Sequence, residues 1–76
     1  MPIHDAGHYG LPDRLRTLRT RRRMNQLALG ELCGLSKNVI GHYENGQRLP
    51  SVKSLVALAD FFDVSTDFLL GRTPFP

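Results

Sequence analysis

The chain reads as an all-α domain of five short helices. Three observations predict that class. Apolar residues recur at helical spacing, Asn25, Ser36, Ser51 and Ser65 each stand at the head of such a run, and no segment shows the sustained alternation of a strand. The 76 residues leave room for one small domain with a single core.

Residues 1–10, "MPIHDAGHYG", have no usable period and read as a flexible N-terminal arm. The first helix begins near Pro12, whose missing amide costs nothing in a first turn, and Asp13 suits the same positive end. Leu11, Leu15 and Leu18 face its core, while Arg19, Arg21, Arg22 and Arg23 crowd its C-terminus. Four arginines exceed what capping requires. The second helix runs from an Asn25 cap to Gly34, with Leu29, Leu32 and Cys33 inward and Gly30 allowing another helix to approach closely. Leu35 plugs the core from the linking turn.

The third helix, 36–45, is capped by Ser36 and ended by Gly46 in the left-handed conformation. Val39, Ile40 and Tyr43 fall on one side, and Lys37, Asn38, Gly41, His42 and Asn45 on the other. A solvated face would carry Glu and Lys pairs. This one has amides, an imidazole, a cation and a glycine, a mixture suited to close hydrogen-bonded contact. Pro50 and Ser51 open a fourth helix with a broad apolar face of Val52, Leu55, Val56, Leu58, Ala59 and Phe62. Asp63 ends it, and Ser65 caps a short fifth helix through Leu70 in which Phe68 and Leu69 close the core. Gly71 ends the helical part, leaving a tail at 72–76.

Charge divides the chain. Residues 12–53 hold nine Lys or Arg against Asp13, Glu31 and Glu44, a net +6, whereas residues 54–76 carry −2. A basic half of this kind suits a polyanion. No apolar run approaches the roughly 18 residues of a membrane span, no secretory leader pattern opens the chain, and the single Cys33 excludes an internal disulfide. A reducing cytoplasm fits these features. No nucleophile–base, paired-carboxylate or phosphate-loop arrangement is present, so neither catalysis nor a cofactor or small-molecule ligand is expected. His4 and His8 make two ligands only, and no metal is expected.

The segment "NQLALGELCGLSKNVIGHYENGQRLPSVKSLVALADFFDVSTDFLLG" resembles the lambda-repressor-like helix-turn-helix domains, the Cro/CI-type or XRE family, from about Leu11 to Gly71. Asn25-Gln26, Gly34, Ile40, "YENG" at 43–46 and "DVSTDFLLG" at 63–71 carry the likeness by their order and spacing. The resemblance implies a compact five-helix fold with its motif at 25–45. It implies a bacterial or phage-encoded regulator of transcription, more often a repressor acting by occupancy, with the third helix in the major groove. The partner would be double-stranded DNA, a near-palindromic operator bound by a homodimer.

On that reading Lys37, Asn38 and His42 meet base edges, with phosphate contact the alternative for Lys37 and Asn38 and a close one for Lys37, and Gly41 lets the backbone come close. The family pattern carries phosphate contacts onto Gln26 and the loop after the third helix, where Asn45, Gln47 and Arg48 fit, and Tyr43 is a mainly structural residue with a phosphate within reach. It also places an ion pair at Arg19 and Glu44, joining the first helix to the third. Arg21, Arg22 and Arg23 add long-range attraction. Phe61, Leu70 and Phe75 are the dimer-interface candidates. Leu27, Ala28 and Gly30 depart from the family pattern. A different class remains open: an antitoxin-like or adaptor module that binds protein, for which an apolar surface such as Leu27 would matter more than Lys37, Asn38 and His42.

Overall fold

The computed structural model describes residues 10–76, which form α1 (Leu11–Arg21), α2 (Gln26–Cys33), α3 (Lys37–Glu44), α4 (Val52–Phe62) and α5 (Thr66–Leu69). The expected N-terminal arm at 1–10, with His4 and His8, lies outside the described residues except for Gly10.

Local chemistry sets the boundaries. The side chains of Asn25, Ser36, Ser51 and Ser65 accept backbone N–H bonds from Ala28, Val39, Ser54 and Phe68 at 2.8–3.1 Å. Each satisfies a donor that a helix start leaves orphaned, an arrangement worth about 1 kcal/mol per cap. Among the described residues α1 has no side-chain cap, and Pro12 in its first turn removes one orphan donor instead. α4 stops at Asp63, which takes the left-handed conformation at φ 56°.

Every helix sends at least one side chain to a common centre: Leu11 and Leu15 from α1, Leu29 from α2, Ile40 and Tyr43 from α3, Leu58, Ala59 and Phe62 from α4, and Leu69 from α5. Helices this short are not stable alone, so this shared burial holds them. Leu18, Cys33, Leu35, Val39 and Leu55 pack around its margin.

Four core assignments expected from the sequence are corrected. Leu32 is 65% exposed. The buried stripe of α2 passes through Gln26, Leu29, Gly30 and Cys33, and Leu32 falls about 110° from its centre at 100° per residue. Val56 lies off the stripe of α4 for the same reason, and Val52, in the first turn, is also exposed. In α5 only Leu69 reaches the core; Phe68 is half-buried beneath the Arg14 guanidinium, 4.2 Å from the ring centroid.

Arg14 also donates from Nη1 to the carbonyls of Phe68 (3.0 Å) and Thr73 (2.8 Å), tying α1 to α5 and to the tail. At the other end of α1, Arg22 donates to the Phe61 carbonyl at 3.2 Å and lies about 5 Å from the rings of Phe61 and Phe62. Arg22 is thus a structural cation at the end of α4, where the helix dipole favours positive charge, rather than a source of long-range attraction alone.

Candidate nucleic-acid interface

The turn between α2 and α3 is built to bring two helices close. Gly34 sits at φ 72°, a conformation in which a side chain is strained, and the N–H of Leu35 bonds back to the Gly30 carbonyl at 2.7 Å. A Cβ on Gly30 would lie 2.5 Å from the Leu35 carbonyl oxygen. The glycine that weakens α2 as a helix is what lets the turn fold against it. The close approach at Gly30 is made by the turn backbone of Leu35 and Ser36, not by another helix as expected from the sequence.

α3 is pinned from behind by a buried ionic junction. Arg19 donates from Nε to Glu44 Oε2 at 2.6 Å and from Nη2 to Oε1 at 2.9 Å, a two-pronged contact with side chains 13% and 1% exposed. A third prong of the same guanidinium meets the Met24 carbonyl at 2.7 Å. The hydrogen bond to Glu44 holds the Arg19 guanidinium above its ordinary value, with burial pulling the other way. Planar matching of this kind is a property of arginine that lysine lacks.

Two more groups join the junction. Gln26 donates from Nε2 to Glu44 Oε1 at 3.3 Å, and Arg16 Nε stands 3.6 Å from the same oxygen. Arg16 also donates to the Glu44 carbonyl at 3.1 Å and to Asn45 Oδ1 at 3.4 Å. Sequence reasoning missed Arg16. The available signal was its position three residues before Arg19, on the same face of α1.

The outer face of α3 contrasts with this. Lys37 and Asn38 are exposed and make no side-chain hydrogen bond among the described residues, while His42, one turn beyond Asn38, is half-buried with Nδ1 sequestered and unpartnered. Gly41 is not on open ground. The space its Cβ would fill lies 3.4 Å from Gln26 Oε1, so its neighbour is the Gln26 amide.

Arg19, Asn25, Gln26, Leu27 and Lys37 line an open cleft of about 390 Å³ at the starts of α2 and α3. Gln47 and Arg48 are exposed in the following loop, which is held to α3 by their backbone N–H bonds to the His42 carbonyl at 2.9 and 3.4 Å. Asn45 is exposed, and its side chain already accepts from Arg16. Tyr43, read from the sequence as mainly structural with a phosphate within reach, is 4% exposed and belongs to the core, three residues after Ile40 on the inward side.

The dimer-interface candidates are not one uniform surface. Phe61 is half-covered by Arg22 and packs edge-on to Phe62 with ring centroids 5.0 Å apart, Leu70 is half-buried, and Phe75 is exposed. Leu27, Leu32, Leu49, Val52 and Val56 are also exposed apolar side chains. Cys33 is a free thiol at the core's edge, and burial pushes it above its ordinary value. Among the described residues no three His, Cys, Asp or Glu side chains converge to hold a metal ion, and no helix is long and apolar enough to cross a membrane.

Two helices joined by a left-handed glycine turn, with the second fixed on one face and open on the other, define a helix-turn-helix domain. The helix-turn-helix family profile matches residues 15–69, and the chain belongs to that family, in its lambda-repressor-like, XRE-type branch. It is 42% identical over 60 residues to the HTH-type transcriptional regulator AnsR of Bacillus subtilis, covering 79% of this chain and 52% of that one. The crystal structure of the phage P22 c2 repressor in complex with a synthetic operator is similar with TM-score 0.78 and 32% identity, over 82% of this chain and 96% of that chain. The restriction-modification controller protein C.AhdI of Aeromonas hydrophila is similar with TM-score 0.72 and 36% identity, over 78% and 89% of the two chains. The chain spans about half the length of the first curated relatives it matches.

Proposed function

We propose that this chain is the DNA-binding domain of a sequence-specific transcriptional regulator, a repressor acting by operator occupancy with α3 in the major groove. One observation carries the reading. α3 is immobilised from behind by Arg19 and Glu44, while Lys37 and Asn38 on its outer face are exposed and His42 beside them is half-buried, all three side chains without a hydrogen-bond partner among the described residues. A major groove admits one helix and offers donors and acceptors to such side chains. Gln26, Asn45, Gln47 and Arg48 flank that helix and would set its register through phosphates. The P22 repressor, similar over most of this domain, is captured on an operator.

The domain acts by binding rather than catalysis, in a bacterial cytoplasm. It works as a homodimer on a near-palindromic site with half-sites about 34 Å apart. Phe61, Leu70 and Phe75 are its pairing candidates.

Selection of bound duplexes from a random pool, at two salt concentrations, tests this. The expected result is an inverted repeat whose preference relaxes at one position in each half-site for Asn38→Ala. Arg48→Ala should leave the preferred sequence unchanged and reduce the salt slope by about one unit. Salt-sensitive binding with no enriched sequence would overturn the reading and leave the protein-binding adaptor as the explanation for exposed residues such as Leu27.

A further inference from the structure

The environment of His42 sets the hydrogen-bonding sense of one position on α3. Nδ1 of His42 is buried and has no partner among the described residues, although the residue as a whole is half-buried. A neutral imidazole carries one N–H. Placing it on Nδ1 would seal an unpaired donor inside the protein, which costs more than leaving a lone pair unmet there. The proton therefore sits on Nε2. That nitrogen can only donate, so whatever meets it must accept.

This deepens the proposed reading of α3 and rests on it. Of the four bases, guanine alone presents acceptors and nothing else along its major-groove edge, at N7 and O6. Adenine sets its amino group beside N7, thymine sets a methyl beside O4, and cytosine offers an amino donor. A glutamine could turn either its carbonyl or its amide toward a base, but His42 with Nδ1 sequestered has no second option. We infer that His42 is a specificity-determining residue that donates its Nε2–H to a guanine in each half-site, and that it discriminates against cytosine and adenine there.

Two measurements test the inference separately. The first needs no DNA: long-range 1H–15N correlation spectra of the His42 ring at pH 8 should show a protonated Nε2 and a bare Nδ1. A protonated Nδ1 or an even mixture of tautomers would overturn the proposal whatever the protein binds.

The second uses the duplex recovered by selection. Exchanging the guanine opposite His42 for each other base should weaken binding roughly 5- to 150-fold, the usual worth of one good base contact. 7-Deazaguanine and 2-aminopurine, which lack N7 and O6 respectively, should identify the accepting atom. His42→Ala should be indifferent to all these exchanges while keeping its preferences elsewhere. Enrichment of cytosine at the position lost in His42→Ala would overturn the donor assignment, while enrichment of adenine or thymine, whose N7 and O4 also accept, would overturn the assignment to guanine; either would leave DNA recognition intact. Failure to enrich any sequence would remove the parent reading, and this inference with it, even if the tautomer were as expected.

Discussion

The two faces of α3 are governed by opposite rules, although they belong to the same eight residues. On the inner face Ile40 and Tyr43 are buried, and the Glu44 carboxylate meets Arg19, Arg16 and Gln26. On the outer face Lys37 and Asn38 touch nothing among the described residues that would fix them. The fold holds the helix from one side and leaves Lys37 and Asn38, on the other, without a side-chain hydrogen bond among the described residues. A recognition surface has this form, because residues that hold the fold cannot also be varied to suit a ligand.

The largest effect should come from breaking the inner face. Glu44→Gln leaves Arg19, a nearly buried guanidinium, without its anion, and Arg16 has the same sign and cannot replace it. The expected loss is about 3 kcal/mol, at the lower end for a broken buried pair because glutamine keeps one acceptor. For so small a domain that is a large share of total stability. Chemical denaturation measures it, and a cycle with Arg19→Met should show coupling of about 2 kcal/mol. Independence of the two changes would mean that the junction does not hold α3.

The two mid-helix glycines of the motif sharpen the contrast, because they should respond with opposite signs. An alanine at either gains about 1 kcal/mol of helix propensity. At Gly30 the new Cβ would meet a backbone oxygen at 2.5 Å, which cannot yield without moving the turn, so Gly30→Ala should be destabilising by about 1–2 kcal/mol net. At Gly41 the Cβ meets the Gln26 side chain at 3.4 Å, an ordinary contact. Gly41→Ala should therefore be stabilising, by somewhat less than 1 kcal/mol. Thermal melts of both variants check the pair, and a shared sign would show that propensity or packing alone governs the motif.

The legible parts of the molecule were those in which local chemistry is decisive. The caps at Asn25, Ser36, Ser51 and Ser65 and the left-handed turn at Gly34 depend on residues a few positions apart, and all five boundaries could be read from the chain. The outward placement of Lys37 and Asn38 followed from periodicity in the same way. Leu32, Val52 and Val56 were misplaced because an apolar side chain at a plausible helical angle is buried only if another element covers it, and that is decided by packing across the domain. Arg22 read as a source of long-range attraction, and the role of Arg14 was not read at all, for a similar reason: the carbonyls and rings they meet lie 39 or more residues away. The inward packing of the Tyr43 ring, by contrast, followed from its helical position beside Ile40.

The smallest expected effect is the one that most directly separates the two faces. Lys37→Ala and Asn38→Ala remove side chains that make no hydrogen bond within the described residues, and alanine is at least as good a helix former as either. Stability should shift by no more than about 0.5 kcal/mol in either direction. Binding to a selected duplex should still fall, by roughly 5- to 150-fold for a residue in base contact. If Lys37 meets only a phosphate, its loss should weaken every sequence alike and lower the salt slope by about one unit. A stability loss approaching that of Glu44→Gln would instead make the outer face part of the scaffold, and the separation of duties across α3 would fail.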